Sequence, residues 1–477
     1  MRKKGSVTVF LTLILSLLLS LICASIESVR MASARTQILN GMDIGLYSLF
    51  GQYDKELLTD YDLFALDGSR GGGQLDLAAV CDELEVYMNP ILKQNSQKLT
   101  LCQSGLTGYR LLTDQKGEAF YQQIVGYMQE TLGSQGIQLL LGRMSERQEK
   151  TVQADQSANQ AQSKGSIDRY DSEMNQASEK SQQAAEEAQV VPQAPPAKNP
   201  ITIMKRIMKR GVLELVLPGG NGLSTKEIEK GTLVSGRGLQ QGMEMPDGMT
   251  VENSYTSEVL FQQYLMEHLG SYAEPSSTGL AYQVEYIFGG KDSDEDNLKA
   301  VASKLLFIRE GVNFACLMAD NVKRSEAQAL ATAIASGFLV PPAAVIIEAA
   351  LILCWAFAES VLDVRELFAG GRIPLVKSSG DWQISLENLP DLMEGLDSMR
   401  RNDEKGMSYK DYLQVLVLTV SKEKKVMRAM DMIENTIREK GRKNFCMDSC
   451  IVALEAFADV KANKKKDFQV IRQYCYE

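Results

Sequence analysis

Three carboxylates on one apolar stretch are the side chains whose types and spacing could do chemistry. Glu348, Glu359 and Asp363 fall within roughly 60° of one another on a helix that turns about 100° per residue. Burial raises the pKa of a carboxyl group, so this possible buried acidic stripe is compatible with acid or base catalysis. The alternative is a set of buried ion pairs with basic residues such as Arg309 or Arg365. No second acidic motif or nucleophile accompanies the stripe, so we favour ion pairs and predict no catalytic residue.

A second acidic cluster, Asp292–Asp296, has the alternating acids of a calcium-binding loop. A calcium loop of the EF-hand type would then need glycine at 297 and glutamate at 303, where this chain has Asn297 and Ser303. The same residues suit a helix start, with Ser293 as the N-cap and acids near the positive end of the helix. We therefore predict helix capping here.

Histidine and cysteine usage argues against metal or cofactor chemistry. His268 is the single histidine, which excludes multi-histidine metal sites. The eight cysteines are dispersed, and the pair Cys446 and Cys450 lacks further partners at zinc-binding spacing. No phosphate-binding loop motif occurs. The sequence therefore predicts no metal, no cofactor and no small-molecule substrate.

The charge balance bears on the class of partner. The 477 residues include 61 acidic and 51 basic ones, for a net charge of −10. A nucleic-acid-binding face needs clustered Lys and Arg, so we predict no nucleic-acid partner. The length is typical of two or three domains.

The N-terminus has the pattern of a membrane anchor. Arg2-Lys3-Lys4 precedes an uncharged, Leu-rich stretch, Val7–Ile26, and about 20 apolar residues span a bilayer as a helix. The basic cluster predicts that the N-terminus is cytoplasmic and that the bulk of the chain is extracytoplasmic, in a single-pass cell-membrane protein.

Cleavage of this segment stays open as an alternative. A signal peptide would have a shorter apolar region and a better cleavage site than Cys23-Ala24-Ser25, and Ile22 makes a lipoprotein signal at Cys23 unfavourable. A prepilin-like peptidase would cut between Gly5 and Ser6 and leave the helix attached. Phe10 occupies the position where such substrates usually carry glutamate.

The apolar helix has no clear end at the membrane. From Glu27 to Asp60 the chain has no proline, and apolar residues recur mostly at three- and four-residue steps, which is an amphipathic helix pattern: Met31, Ile38, Met42, Leu46, Leu49 and Tyr53. Either a separate core helix follows the span, or one long helix lies half in lipid and half on a globular head.

Several short segments together resemble an uncharacterised family of membrane-anchored proteins of Gram-positive bacteria that is similar to TadE/TadG, the pilin-related components of tight-adherence pilus systems. The segments are Lys4–Leu11 with Glu27–Arg30, Leu46–Phe50, Tyr61–Asp67, Val284–Lys291, Phe307–Phe314, Trp355–Arg365, Tyr409–Leu413 and Met430–Ile433. The resemblance covers most of the chain except its polar middle. It implies pilus or secretion-system subunits as partners and supplies no catalytic residue.

The composition divides the chain into four predicted segments: a transmembrane anchor (1–26), a first extracytoplasmic segment (27–143), a Gln/Ser/Ala-rich polar linker (144–200) and a main domain (201–477). Within the main domain we predict a strand at Val212–Leu217, helices at Ser257–Leu269, Asp294–Ala319 and Arg324–Val340, and an edge strand at Phe468–Tyr476. A helix is also predicted near Leu111–Leu141. The fold class is therefore mainly α (α+β) with a small sheet.

A second uncharged run, Ala327–Ile347, contains Pro341-Pro342 and admits two interpretations. It is either part of a buried helix pair or, over 327–358, a re-entrant hairpin of a multi-pass membrane component; the lysines at 422–425 and 464–466 would suit a cytoplasmic C-terminus. We favour burial.

The function expected from these observations is non-enzymatic. The leading hypothesis is a membrane-anchored extracytoplasmic structural or assembly protein, in contact with membrane lipid and with pilus or secretion subunits. The alternatives are an extracytoplasmic hydrolase that uses the acidic stripe, with a pocket around Glu359, and the multi-pass component.

Overall fold

The computed structural model describes residues 4–94, 99–164, 172, 175–176, 179, 200–217, 222–243, 245, 254–337, 343–377, 379–392, 406–462 and 466–476. Its class is mainly α with a small antiparallel sheet, which confirms the predicted class. The chain divides into two compact units. Unit 1 comprises 1–127, 231–252 and 437–477, and unit 2 comprises 128–230 and 253–436.

Thirteen helices and four strands are described. The helices are α1 (Lys4–Phe50), α2 (Lys55–Tyr61), α3 (Leu77–Lys93), α4 (Asp114–Lys164), α5 (Pro200–Met208), α6 (Val212–Val216), α7 (Tyr255–His268), α8 (Gln283–Gly289), α9 (Asp294–Ala319), α10 (Asn321–Gly337), α11 (Ala344–Phe368), α12 (Tyr409–Leu418) and α13 (Lys422–Glu439). The strands are β1 (Leu66–Asp67), β2 (Leu99–Leu111), β3 (Cys450–Ala462) and β4 (Lys466–Cys475).

The sheet of unit 1 is built around β3, the strand to which all three others pair antiparallel. Ile451 pairs with Leu66 of β1 and with Leu111 of β2, and Ala453 pairs with Arg110 of β2 and with Cys475 of β4. A residue has one partner on each edge, so β2 lies on one edge of β3 and β1 and β4 share the other. The predicted C-terminal strand is thereby confirmed.

The helix α1 is continuous over 47 residues, which confirms the interpretation of one long helix. Its second half packs on α3 and on one face of the sheet, through an apolar stripe in which most residues are four apart: Ala34, Ile38, Met42, Leu46, Leu49 and Phe50. Leu454, Ala456, Ala458 and Val460 of β3 line the opposite side of this core. The small alanines let the helix approach the sheet closely.

Unit 2 is a helical assembly whose centre is α11. This helix is apolar enough to cross a membrane, but 78% of its most apolar window is buried inside the protein. It packs against α9 and α10, and the indole of Trp355 donates a hydrogen bond to the Ile384 carbonyl oxygen at 2.8 Å. Burial among protein helices supports the buried-pair interpretation of the second apolar run. Residues 338–342, with the two prolines, lie outside the described residues.

One local prediction was wrong. Val212–Leu217 was predicted as a strand, and it forms the short helix α6 over Val212–Val216. The helix predicted near Leu111–Leu141 is present as α4, which begins at Asp114 because β2 extends to Leu111. The helix α4 continues to Lys164, into the predicted polar linker, and its Met144 and Ala154 are buried. Most of the remaining linker lies outside the described residues.

Candidate functional site

The first half of α1 is exposed along its whole described length. Every side chain from Val7 to Arg30 is exposed, and the apolar window here has a mean hydropathy of 2.7. Four hydroxyls of this stretch, at positions 12, 16, 20 and 25, bond back to carbonyl oxygens within the helix, as Ser20 does to Leu17 at 2.8 Å. Such bonds remove the cost of placing a hydroxyl in lipid. The helix is therefore long and apolar enough to span a membrane. Gly5 and Ser6, the predicted processing site, lie in the first turns of α1.

Two members of the predicted acidic stripe come together around one lysine. Lys377 forms ion pairs with Glu359 and with Asp363, and all three side chains are almost fully buried. Glu359 also accepts backbone hydrogen bonds from Gln383 at 3.1 Å and Ile384 at 3.1 Å. Both carboxylate oxygens of Glu359 are thus engaged by the protein itself. That arrangement fixes the loop after α11 against the helix.

Asp363 is held by a second buried cation. The guanidinium of Arg309 on α9 donates to Asp363 Oδ2 at 2.8 and 3.0 Å, and Asn313 donates to the same oxygen at 3.0 Å. Burial by itself would raise the pKa of Asp363, but Arg309 and Lys377 together hold that pKa below its usual range. An ionised, fully bonded carboxylate is neither a general acid nor an available base, so this cluster ties α9 to α11.

The third member, Glu348, lies apart from this cluster. It pairs with Arg324 of α10 at 3.2 Å, and the arginine side chain is half exposed. Arg365, the other cation that the ion-pair interpretation named, donates instead to the carbonyl oxygens of Leu215 and Leu217. Sequence reasoning missed Lys377, whose only signal is its place as a single lysine after the apolar segment Ile373–Val376.

A separate buried carboxyl group, Glu285 of α8, was not anticipated. Its Oε1 accepts hydrogen bonds from the Tyr409 hydroxyl at 2.6 Å and from the Tyr272 amide at 2.8 Å. Its Oε2 is buried with no hydrogen-bond partner. Burial raises the pKa of Glu285 to about 7, against the lowering effect of these hydrogen bonds. The ring of Tyr409, which donates to Glu285, belongs to a cluster of four aromatic rings that contact one another: Tyr272, Tyr282, Phe368 and Tyr409.

The acidic segment before α9 is a helix cap, as predicted. The Ser293 hydroxyl accepts a hydrogen bond from the Asp296 amide at 3.1 Å and donates one to the Asp296 carboxylate at 3.0 Å. Asp294 is fully buried and accepts from the amides of Ala281 and Tyr282. Its carboxylate is therefore occupied by the chain.

Metal-ligating side chains do not cluster in the described part of the chain: no group of three or more His, Cys, Asp or Glu there could hold an ion. His268 stacks on the ring of Tyr264 at 4.0 Å between centroids. All eight cysteines lie within the described ranges as free thiols, and Cys446 accepts a hydrogen bond from Arg438 at 3.3 Å.

Comparison with known proteins gives one match. Residues 192–462 match the model of a family of unknown function (DUF5702), which leaves α1 to α4 and the strands β1 and β2 outside the matched region. The same comparison with curated proteins and with solved structures gave no match.

Proposed function

The chain belongs to the family of unknown function DUF5702, and from this premise we propose that it is a membrane-anchored extracytoplasmic structural or assembly protein. In its finer form, the proposal is a pilin- or pseudopilin-like component of a tight-adherence pilus or secretion apparatus. The N-terminus is cytoplasmic and the two units are extracytoplasmic.

One observation carries the proposal: α1 is a single helix with two different environments. Its first half is apolar and exposed from Val7 onward, and its second half is the central helix of a small α/β head. An exposed apolar helix of this length is stable in a bilayer and unfavourable in water. Because α1 is one continuous helix, the position of the anchor directly sets the position of the head. A subunit that assembles through its anchor requires such a connection.

The pilus part of the proposal is supported by the resemblance of Lys4–Leu11 and Glu27–Arg30 to TadE/TadG-like proteins. In lipid, helices associate through close packing and interhelical hydrogen bonds, because the hydrophobic effect no longer separates them from solvent. The exposed half of α1 is the surface through which copies or related subunits would contact one another. The buried ion pairs of Glu359 and Asp363 support a structural role for unit 2.

The first test is the N-terminal residue of the mature protein in membranes of the native cell. A start at Ser6 would identify processing by a prepilin-type peptidase and support the pilus assignment. A start near Ile26 would mean that the apolar half is removed, and the anchor proposal would fail. An uncut chain would leave the anchor proposal intact, but the pilus assignment would then have no support from N-terminal cleavage.

The second test is oxidative cross-linking in the same membranes. Cys23 is exposed on the apolar half of α1, so lateral contacts between anchors should give a reducible dimer. The variant C23S should lose that dimer, whereas C102S, which removes an exposed thiol of β2 in unit 1, should retain it. The absence of any species that depends on Cys23 would contradict assembly through the anchor.

A further inference from the structure

One end of unit 1 is defined by the point where α1 enters it, at Ala34. The helix α3 runs antiparallel to α1, because Gln37 Nε2 donates to the Ile91 carbonyl oxygen at 2.9 Å near the carboxyl end of α3. Lys93 therefore lies at this end of the unit. We call it the membrane-proximal end, since it adjoins the exposed half of α1.

The strand β4 runs in the same direction as α1. Arg472 bonds to Asp43 at 2.9 Å, and the Tyr476 hydroxyl donates to the Phe50 carbonyl oxygen at 2.6 Å. The beginning of β4, at Lys466, consequently lies at the membrane-proximal end. The paired end of β3 lies beside it, because Ala462 pairs with Lys466.

The height of Lys466 above the apolar stretch follows from the geometry of the two elements. It precedes Arg472 by six residues, which is about 20 Å of strand. The same distance corresponds to roughly 13 residues of helix, which places Lys466 level with Arg30. Arg30 lies about 6 Å beyond Ile26, the end of the apolar stretch. The headgroup layer of a bilayer is about 5–8 Å thick on each side, so both charges reach it.

The charges at this end are predominantly basic. Among the described residues, the exposed basic side chains at this end are Arg30, Arg35, Lys93, Lys461 and Lys466. The described acidic side chains nearby are Glu27 and Asp467, which are exposed, and Asp459, which is half-buried; Asp467 lies 3.8 Å from Lys461. The balance at the membrane-proximal end is positive although the whole chain carries a net charge of −10.

We infer that the membrane-proximal end of unit 1 docks on the anionic phospholipid headgroups of the membrane that holds α1. The inference rests on the proposed membrane anchoring and adds the lipid chemistry that the head recognises. The anchor brings the basic side chains to the surface, and the negative potential of an anionic membrane attracts each of them. A basic residue at such a surface shifts the binding equilibrium by about fivefold. Docking would restrain the tilt of the head relative to the membrane.

The test uses the full-length protein in lipid nanodiscs of pure phosphatidylcholine or with phosphatidylglycerol added. Hydrogen–deuterium exchange is followed over 27–40 and over the ends of β3 and β4. We expect phosphatidylglycerol to slow exchange in these segments at least about fivefold, and the effect to disappear at high salt. The variant R30Q/K466Q should lose most of the effect, because two charges together account for roughly 25-fold.

The matched control is K55Q/K443Q, which removes two exposed charges at the opposite end of unit 1. It should keep the full response to phosphatidylglycerol. Equal exchange in the two lipids, with the amides of Val7–Ile26 protected in both, would overturn the docking and leave the anchor intact. Unprotected amides in Val7–Ile26 would instead show that α1 does not insert, and would overturn the anchoring as well. Loss of the response in the control variant would show a general charge effect and overturn this surface.

Discussion

At the scale of single residues, Glu285 combines full burial with bonds to a phenol and an amide rather than to a cation. Its pKa is about 7 in the folded protein against 4.5 ordinarily. Between these values the folded state binds more protons than the unfolded state, so the free energy of unfolding falls as pH rises through this window. This decrease in the free energy of unfolding is absent below pH 4.5 and complete above pH 7. It amounts to roughly 3 kcal/mol.

We therefore expect E285Q to weaken the pH dependence of unit 2. The free energy of unfolding of the variant, relative to the native chain, should rise by about 3 kcal/mol between pH 4 and pH 8. Trp355 and Trp382 are the two tryptophans of the chain and both lie in unit 2, so urea unfolding followed by their fluorescence measures this. E267Q, at an exposed glutamate on α7, should leave the pH dependence unchanged. Equal slopes for E285Q and the native chain would refute this account of Glu285.

The lysine between Glu359 and Asp363 gives a second prediction at this scale. K377M removes the shared cation and leaves Glu359 as a buried carboxylate with only backbone donors. Loss of one partner from a buried ion pair costs about 3–5 kcal/mol, because an uncompensated charge stays behind. The same fluorescence measurement should show unit 2 destabilised by this amount.

R324Q is the matched comparison for K377M. It breaks the pair between Arg324 and Glu348, in which the arginine side chain is 51% exposed. The Glu348 side chain is 13% exposed, but solvent screens a pair whose cation is half exposed, so this variant should cost no more than about 1 kcal/mol. Similar losses for both variants would mean that burial does not govern the strength of these pairs.

At the scale of elements, helices with strong local signals could be predicted, whereas of the four described strands only the C-terminal β4 was predicted. The predicted helix Asp294–Ala319 has the observed bounds because Ser293 caps it and three acids occupy its first turn. The helix α6 was predicted as a strand because a short apolar run has no periodicity that separates a buried strand from a buried helix turn.

The strand β2 was missed because glycines interrupt its pattern. A Cβ at Gly105 would lie 2.5 Å from the Phe457 ring, so glycine is needed there to let the ring of the neighbouring strand β3 pack across it. That partner lies 352 residues further along the chain. Separation along the chain limits prediction of the acidic cluster in the same way. The spacing on α11 predicted that the carboxylates share one face of the helix, but it could not identify Lys377, which lies in the following loop.

Close packing between α1 and α3 supplies a prediction for an element. A Cβ at Gly45 would lie 2.7 Å from Met88 Cγ and 3.1 Å from Leu84 Cδ1. We expect G45V to force the two helices apart and destabilise their packing by about 1–3 kcal/mol. Hydrogen exchange of the α3 amides in the full chain would report this as faster exchange.

The control for G45V is one turn earlier on the same helix. A Cβ at Gly41 would make its closest contact at 3.4 Å, an ordinary van der Waals distance. G41A should therefore stabilise α1 by up to about 1 kcal/mol, since alanine favours helix. Slower exchange in G45V than in G41A would contradict the close approach at Gly45.

At the scale of the whole molecule, the sheet of unit 1 is completed by the last segment of the chain. Its central strand β3 comes from 437–477, whereas α1, α3 and β2 come from 1–127. The head that continues the anchor is therefore finished only when the end of the chain is present. The exposed half of α1 has no such dependence, because every side chain from Val7 to Arg30 is outside the head.

This separation predicts different fates for the two halves of α1 in a chain that ends at Thr436. Such a chain lacks β3, so β2 loses the strand with which it pairs along most of its length, and the apolar stripe from Ala34 to Phe50 is uncovered. Exchange protection over Leu99–Leu111 should disappear, while resistance to carbonate extraction from membranes should persist.

A chain that ends at Ala462 separates the contribution of β3 from that of β4. It keeps the whole register between β2 and β3, so protection over Leu99–Leu111 should persist in part. Protection that survives in the chain ending at Thr436 would show that the head folds without its central strand. Release of that chain by carbonate would show that the anchor depends on the head. If protection is lost and the shortened chain stays in the membrane, the first half of α1 holds its place in lipid independently of the head. The second half of α1 is then ordered by segments that are distant in sequence.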